Sequence, residues 1–131
     1  MSKFKADPFP TDTPSSYPTV EMNELFDAIL ALKNKKEAAD FFRDLLTIPE
    51  IKEFTNRWQA VKLILRGESY VVIARKLGMS TATVTRVAHW LHNGMGGYKA
   101  LADRQFRTKF KDSYTSKRLP RTGKYRLIPD V

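Results

Sequence analysis

Ser69-Tyr70-Val71-Val72-Ile73-Ala74-Arg75-Lys76-Leu77-Gly78-Met79-Ser80-Thr81-Ala82-Thr83-Val84-Thr85-Arg86-Val87-Ala88-His89-Trp90-Leu91 reads as two short helices joined by a tight turn, a helix-turn-helix. The Ser69 hydroxyl suits the N-cap of the first helix. Ile73 and Leu77, four apart, share a face. Ala74 sits where two helices must approach closely. Gly78 ends the helix at a position that favours left-handed backbone, which glycine reaches without a Cβ penalty. Ser80 is placed to cap the second helix, and Val84, Val87, Ala88 and Leu91 give it an inward stripe at spacings of three and four. Thr81, Ala82, Thr85, Arg86 and His89 then point outward. Small hydroxyls, a methyl and an arginine suit a helix that enters a DNA major groove. An αα-hairpin packed in a core is the alternative, but it would not leave such residues on one polar stripe.

The rest of the chain also reads as helical. Met22, Leu25, Phe26, Ile29 and Leu32 follow helical spacing, with Leu30 widening the stripe, and predict a first helix over 21–33. Asn34-Lys35-Lys36-Glu37 and Thr47-Ile48-Pro49-Glu50 are two capping-box-like starts. The first opens a short helix holding Ala38, Phe41, Phe42 and Leu45. The second opens a helix reaching about Arg66, with Ile51, Phe54, Trp58, Val61 and Leu65 on one stripe and Leu63 and Ile64 to its side. Gly67 is its stop. Gly94, Gly96 and Gly97 break the chain after Leu91, and Tyr98 to about Phe110 forms a possible further helix. No strand alternation and no internal repeat stands out. The fold class expected is all-α, a helical bundle carrying a helix-turn-helix.

Three segments follow from composition. Residues 1–19 hold four of the seven prolines, among Ser, Thr and Asp, and read as a disordered arm in which Phe4, Phe9 and Tyr17 are the candidates for docking. Residues 20–103 form the helical domain. Residues 104–131 form a basic, mostly irregular tail.

Charge points to the partner. The 131 residues carry a net charge of +9. Residues 1–98 hold 13 Lys and Arg against 11 Asp and Glu, whereas residues 99–131 hold 10 against 3. Such a tail meets polyanions, with nucleic acid first and an anionic membrane surface second. Its cations interleave with Phe106, Phe110, Tyr114 and Tyr125, a mixture suited to phosphate contact and base stacking. The absence of cysteine excludes disulfides, thiol chemistry and zinc fingers and suits a cytoplasmic location. No apolar run is long enough to span a bilayer, and no apolar signal-peptide core opens the chain. His89 and His92 lack the further ligands a metal needs. No catalytic set stands out, so no enzyme activity is expected, and no cofactor either.

On the second helix, Thr81, Ala82 and Thr85 would face base edges and discriminate through methyl contacts and water, while Arg86 would hold a phosphate or reach a guanine. Ser69 and the start of its helix would meet the DNA backbone. Arg75 and Lys76 either extend that footprint or are solvated charges. The large apolar residues Phe26, Phe41, Phe42, Phe54 and Trp58 exceed what such short helices bury, which favours a dimer.

Several motifs together resemble the Trp-repressor superfamily, and more closely its TrpR-related YerC/YecD subgroup. They are Met22-Asn23-Glu24-Leu25-Phe26, Leu46-Thr47-Ile48-Pro49-Glu50-Ile51-Lys52, Gly67-Glu68-Ser69-Tyr70, Ile73-Ala74, Ser80-Thr81-Ala82-Thr83-Val84-Thr85-Arg86-Val87 and Gly96-Gly97-Tyr98-Lys99. The resemblance runs from about Glu21 to Asp103. It implies an intertwined homodimer binding double-stranded operator DNA, with reading heads one helical turn, ~34 Å, apart on a near-palindromic site. It also implies an effector pocket. The founding member of the family holds L-tryptophan between two arginines, which Arg57 and Arg86 match, and Thr47 and Thr83 match two threonines of that pocket. One position departs. Where the family has a glycine against which the indole lies, this chain has Val87, which disfavours tryptophan as a corepressor. Trp90, three residues on, offers an indole from within the chain. Two other readings compete with a sequence-specific, repressor-type regulator. One is a low-specificity nucleic-acid-binding or architectural protein driven by the tail. The other is the DNA-recognition part of a recombination enzyme, against which the lack of an acidic catalytic set counts.

Overall fold

Helix caps written into the sequence set most of the architecture. The computed structural model describes residues 13–107. They form six α-helices: α1 (Val20–Leu30), α2 (Lys35–Leu45), α3 (Ile48–Leu65), α4 (Tyr70–Leu77), α5 (Thr81–Asn93) and α6 (Gly97–Ala102). A π-helical turn, Asp103–Arg107, continues α6. The fold is all-α, as the periodicity predicts. Among the described residues no helix is long and apolar enough to cross a membrane. The chain divides between Thr55 and Asn56, within α3, into two compact units.

In the unit of residues 13–55, each helix start is closed by a side chain. Thr19 Oγ1 accepts from the Met22 N–H at 3.1 Å. Asn34 Oδ1 accepts from the Glu37 N–H at 2.9 Å, but Glu37 returns its bond to the Lys33 N–H rather than to Asn34. That bond explains why α1 stops at Leu30 and not at Lys33: the backbone of Lys33 is committed to the start of α2. Leu30, expected to widen the α1 stripe, is 82% exposed. Before α3, the Thr47 N–H and hydroxyl both donate to Glu50 Oε1, at 2.9 and 3.0 Å, and Thr47 Oγ1 accepts from the Glu50 N–H at 3.2 Å. These bonds favour the charged carboxylate. The backbone bond from Thr47 contributes most and its hydroxyl next, and together they hold the Glu50 pKa below the usual carboxylate value. Tyr17 lies edge-on to Phe26 with centroids 6.4 Å apart, so the end of the expected arm is docked. Phe4 and Phe9 lie outside the described residues. Neither α1 nor α2 has a buried residue.

The core belongs to the unit of residues 56–107. Ala60, Val61, Leu63, Ile64 and Leu65 of α3 are all buried, so the end of this helix is enclosed rather than striped as its spacing predicts. They pack with Ile73, Ala74, Val84, Val87, Ala88, Leu91 and Ala102. Beyond Ala102 the wider π turn brings Phe106 onto Trp58, with rings 5.4 Å apart and 27° from parallel. Tyr98 meets the same indole at 6.2 Å. Packing therefore runs past Asp103. Phe106, expected among the tail's base-stacking residues, is part of the fold. The rest of the predicted helix to Phe110 and the tail from Thr108 lie outside the described residues.

Candidate nucleic-acid interface

The two short helices α4 and α5 build the surface, and their termini explain its shape. Ser69 Oγ accepts from the Val72 N–H at 3.2 Å and starts α4. At its other end Gly78 takes φ +65° and ψ +36°, and the Met79 N–H donates to the Ala74 carbonyl at 3.0 Å. This six-to-one closure needs a left-handed residue, hence glycine. Gly67 (φ +88°) ends α3 in the same way, with the Glu68 N–H on the Leu63 carbonyl. The Asn56 amide also donates to the Leu77 carbonyl at 3.4 Å, joining the end of α4 to α3. Ser80 Oγ then accepts from the Thr83 N–H at 3.1 Å and starts α5.

Packing decides what α5 displays. Ile73 and Val84 are fully buried, and Ala74 sits at the α4–α5 approach, 8% exposed. Val87, Ala88 and Leu91 complete the inward face. Thr81, Ala82, Thr85, Arg86 and His89 are all exposed on the other side. Their convergence on one stripe agrees with their expected spacing. Ser69, Arg75, Lys76 and Ser80 are exposed as well. Arg86 has no acidic partner among the described residues. Lys76 does: its Nζ lies 2.6 Å from Glu68 Oε1. Nothing local in the sequence reveals this pair, because Glu68 precedes α4 and Lys76 lies near its end.

Hydroxyl groups on the first turns of α5 are engaged. Ser80 Oγ and Thr83 Oγ1 share a hydrogen bond of 2.9 Å. Thr85 Oγ1 donates to the Thr81 carbonyl at 3.0 Å.

Of the residues expected around an effector, Thr47 and Thr83 carry local hydrogen bonds. Thr47, in the unit of residues 13–55, has its hydroxyl on Glu50. Thr83 is half-buried, with its hydroxyl on Ser80. Val87 is 4% exposed and belongs to the core. Arg57 is half-buried and its charge acts on Tyr98. Burial pushes the Tyr98 phenol pKa up, and Arg57 draws it partly back. The Trp58–Tyr98–Phe106 cluster was not legible as a unit, because its members come from distant parts of the chain.

A capped α4, a left-handed glycine turn and a capped α5 with one buried and one polar face define a protein of the helix-turn-helix class. Its family follows from comparison with known proteins: the chain belongs to the Trp repressor family, whose model, described as Trp repressor protein, matches residues 20–106. It is similar to the uncharacterized protein YerC of Bacillus subtilis strain 168, with 37% identity over 93 residues, 71% of this chain and 89% of YerC. The crystal structure of a TrpR-like protein from Eubacterium eligens matches with a TM-score of 0.66 and 40% identity, over 70% of this chain and 94% of that one. A Trp-repressor-type protein from Staphylococcus aureus matches with a TM-score of 0.61 and 43% identity, over 64% and 84%.

Proposed function

We propose that this protein is a transcriptional regulator of the repressor type, which binds a near-palindromic DNA site as a homodimer. The observation that carries the reading is the division of α5. Its buried face holds the helix on the core, and its exposed face offers Thr81, Ala82, Thr85, Arg86 and His89 together. Such a helix presents its N-terminal turns to base edges, and the N-terminus of α4 lies against phosphates. Homodimerisation is supported by the N-terminal helices: Met22, Leu25 and Leu45 are 42%, 36% and 47% exposed, and a second copy would cover them.

The regulator works without L-tryptophan. Val87 puts an isopropyl group on α5 where the family has a glycine, the Thr47 hydroxyl serves the start of α3, and the Thr83 hydroxyl is bonded to Ser80. Added tryptophan therefore leaves DNA affinity unchanged.

The test is selection of sites from a pool of random duplex DNA by the full chain, repeated with a Thr85→Ala, Arg86→Ala variant. Recovery of a two-fold motif by the wild type, lost in the variant, is the expected result. Binding without any motif that survives in the variant but disappears on deletion of residues 111–131 would replace this reading with an electrostatic binder driven by the basic tail.

A further inference from the structure

The bonding of hydroxyl groups on α5 limits what the helix can recognise. A threonine hydroxyl has a single proton. In Thr85 that proton is given to the Thr81 carbonyl one turn back, at 3.0 Å. The oxygen is left with lone pairs only, so it accepts from a base and cannot donate to one. The same bond holds the side chain in one rotamer and so orients its methyl group as well. Ser80 Oγ and Thr83 Oγ1 share a hydrogen bond, and Ser80 Oγ also accepts from the Thr83 N–H. Ala82 lies three residues before Thr85 on the exposed face, with Cβ atoms ~5–6 Å apart at that helical spacing. Ala82 and Thr85 therefore offer two methyl groups and one acceptor side by side.

The major groove has few matches for that set. Guanine presents only acceptors there, which an acceptor repels. Cytosine presents an amino donor but no methyl. An A·T pair presents both, the adenine N6 amino group and the thymine C5 methyl. We infer that Thr85, with Ala82 beside it, selects an A·T pair in each half-site, the methyl groups meeting thymine and the Thr85 oxygen accepting from adenine N6. The inference rests on the DNA-binding reading above and adds the base-pair preference and its cause.

The experiment uses the motif recovered by selection and two base analogues. Deoxyuridine in place of thymine removes only the methyl group. 2-Aminopurine in place of adenine moves the amino group out of the major groove while keeping the pair with thymine. With the full-length wild type, deoxyuridine at that thymine in one half-site lowers affinity about fourfold. 2-Aminopurine at its partner adenine lowers it about fivefold. Thr85→Ser, which keeps the hydroxyl and drops the methyl, weakens the response to deoxyuridine, Ala82 supplying what remains, and keeps the response to 2-aminopurine. Thr85→Val, which keeps methyl groups and drops the hydroxyl, keeps the response to deoxyuridine and loses the response to 2-aminopurine. Circular dichroism and thermal melting confirm that both variants fold. A clear motif with no thymine sensitive to deoxyuridine would overturn this inference alone, as would a deoxyuridine response unchanged in Thr85→Ser. Failure to recover any two-fold motif would overturn the regulator reading and this inference with it.

Discussion

Lys76 of α4 and Glu68 of the α3–α4 turn form an ion pair, Nζ to Oε1 2.6 Å, with the lysine side chain 55% exposed and the glutamate 23%. The cation nearest the end of α4 is thus partly neutralised by a residue of its own chain. An exposed pair of this kind is worth only about 0–1 kcal/mol to the fold. Its consequence for a polyanion is larger. Glu68→Gln leaves thermal stability nearly unchanged, raises DNA affinity, and steepens the dependence of log K on log salt by about 0.9 as one more phosphate is engaged. Binding titrations at four or more salt concentrations check this, and an unchanged slope would place Lys76 outside the footprint.

Two glycines stand at helix ends for different reasons. At Gly78 an added Cβ meets nothing within 4 Å, but φ is +65°. Gly78→Ala therefore costs only the left-handed penalty, about 1–2 kcal/mol. At Gly94 an added Cβ would collide with the Trp90 carbonyl oxygen, so the end of α5 must shift. Gly94→Ala costs more, about 3 kcal/mol. Urea denaturation of the two variants gives the order directly.

Glu50 ties stability to acid. Its pKa is lowered in the folded protein, chiefly by the backbone bond from Thr47, so the unfolded chain binds its proton more readily. The stabilisation is present above the ordinary value of 4.5 and is lost as pH falls through the lower folded value. Glu50→Gln removes this contribution, and melting temperatures measured from pH 6 down to pH 3 fall less steeply than for the wild type.

Phe106 secures the π turn to α3 through Trp58. Phe106→Ala costs about 2 kcal/mol, below the 3–5 typical of a fully buried phenylalanine, because the ring is only half-buried. In a Trp90→Phe background the same change shifts Trp58 fluorescence to longer wavelength as water reaches the indole. An unshifted spectrum would mean that the stack does not form in solution.

The helix starts and stops were legible in the amino-acid sequence because their bonds are local. Thr47 with Glu50, Asn34 with Glu37, Ser69 with Val72, and Ser80 with Thr83 each span three residues. The left-handed turn at Gly78 is a property of one residue and its neighbours. The faces of α5 follow in the same way, since helical spacing assigns Val84, Val87, Ala88 and Leu91 to one side and Thr81, Ala82, Thr85, Arg86 and His89 to the other. Tertiary structure decided whatever depends on which elements meet. Leu63 and Ile64 are buried because the end of α3 is enclosed by its neighbours, which spacing within one helix does not reveal. Phe106 is a packing residue because a π turn brings it to Trp58, 48 positions earlier in the chain. Lys76 reaches back along α4 to Glu68, just before its N-cap, and the Asn56 amide of α3 reaches the Leu77 carbonyl at the end of α4. Periodicity sorts residues by face, but the neighbour on that face is set by the path of the whole chain.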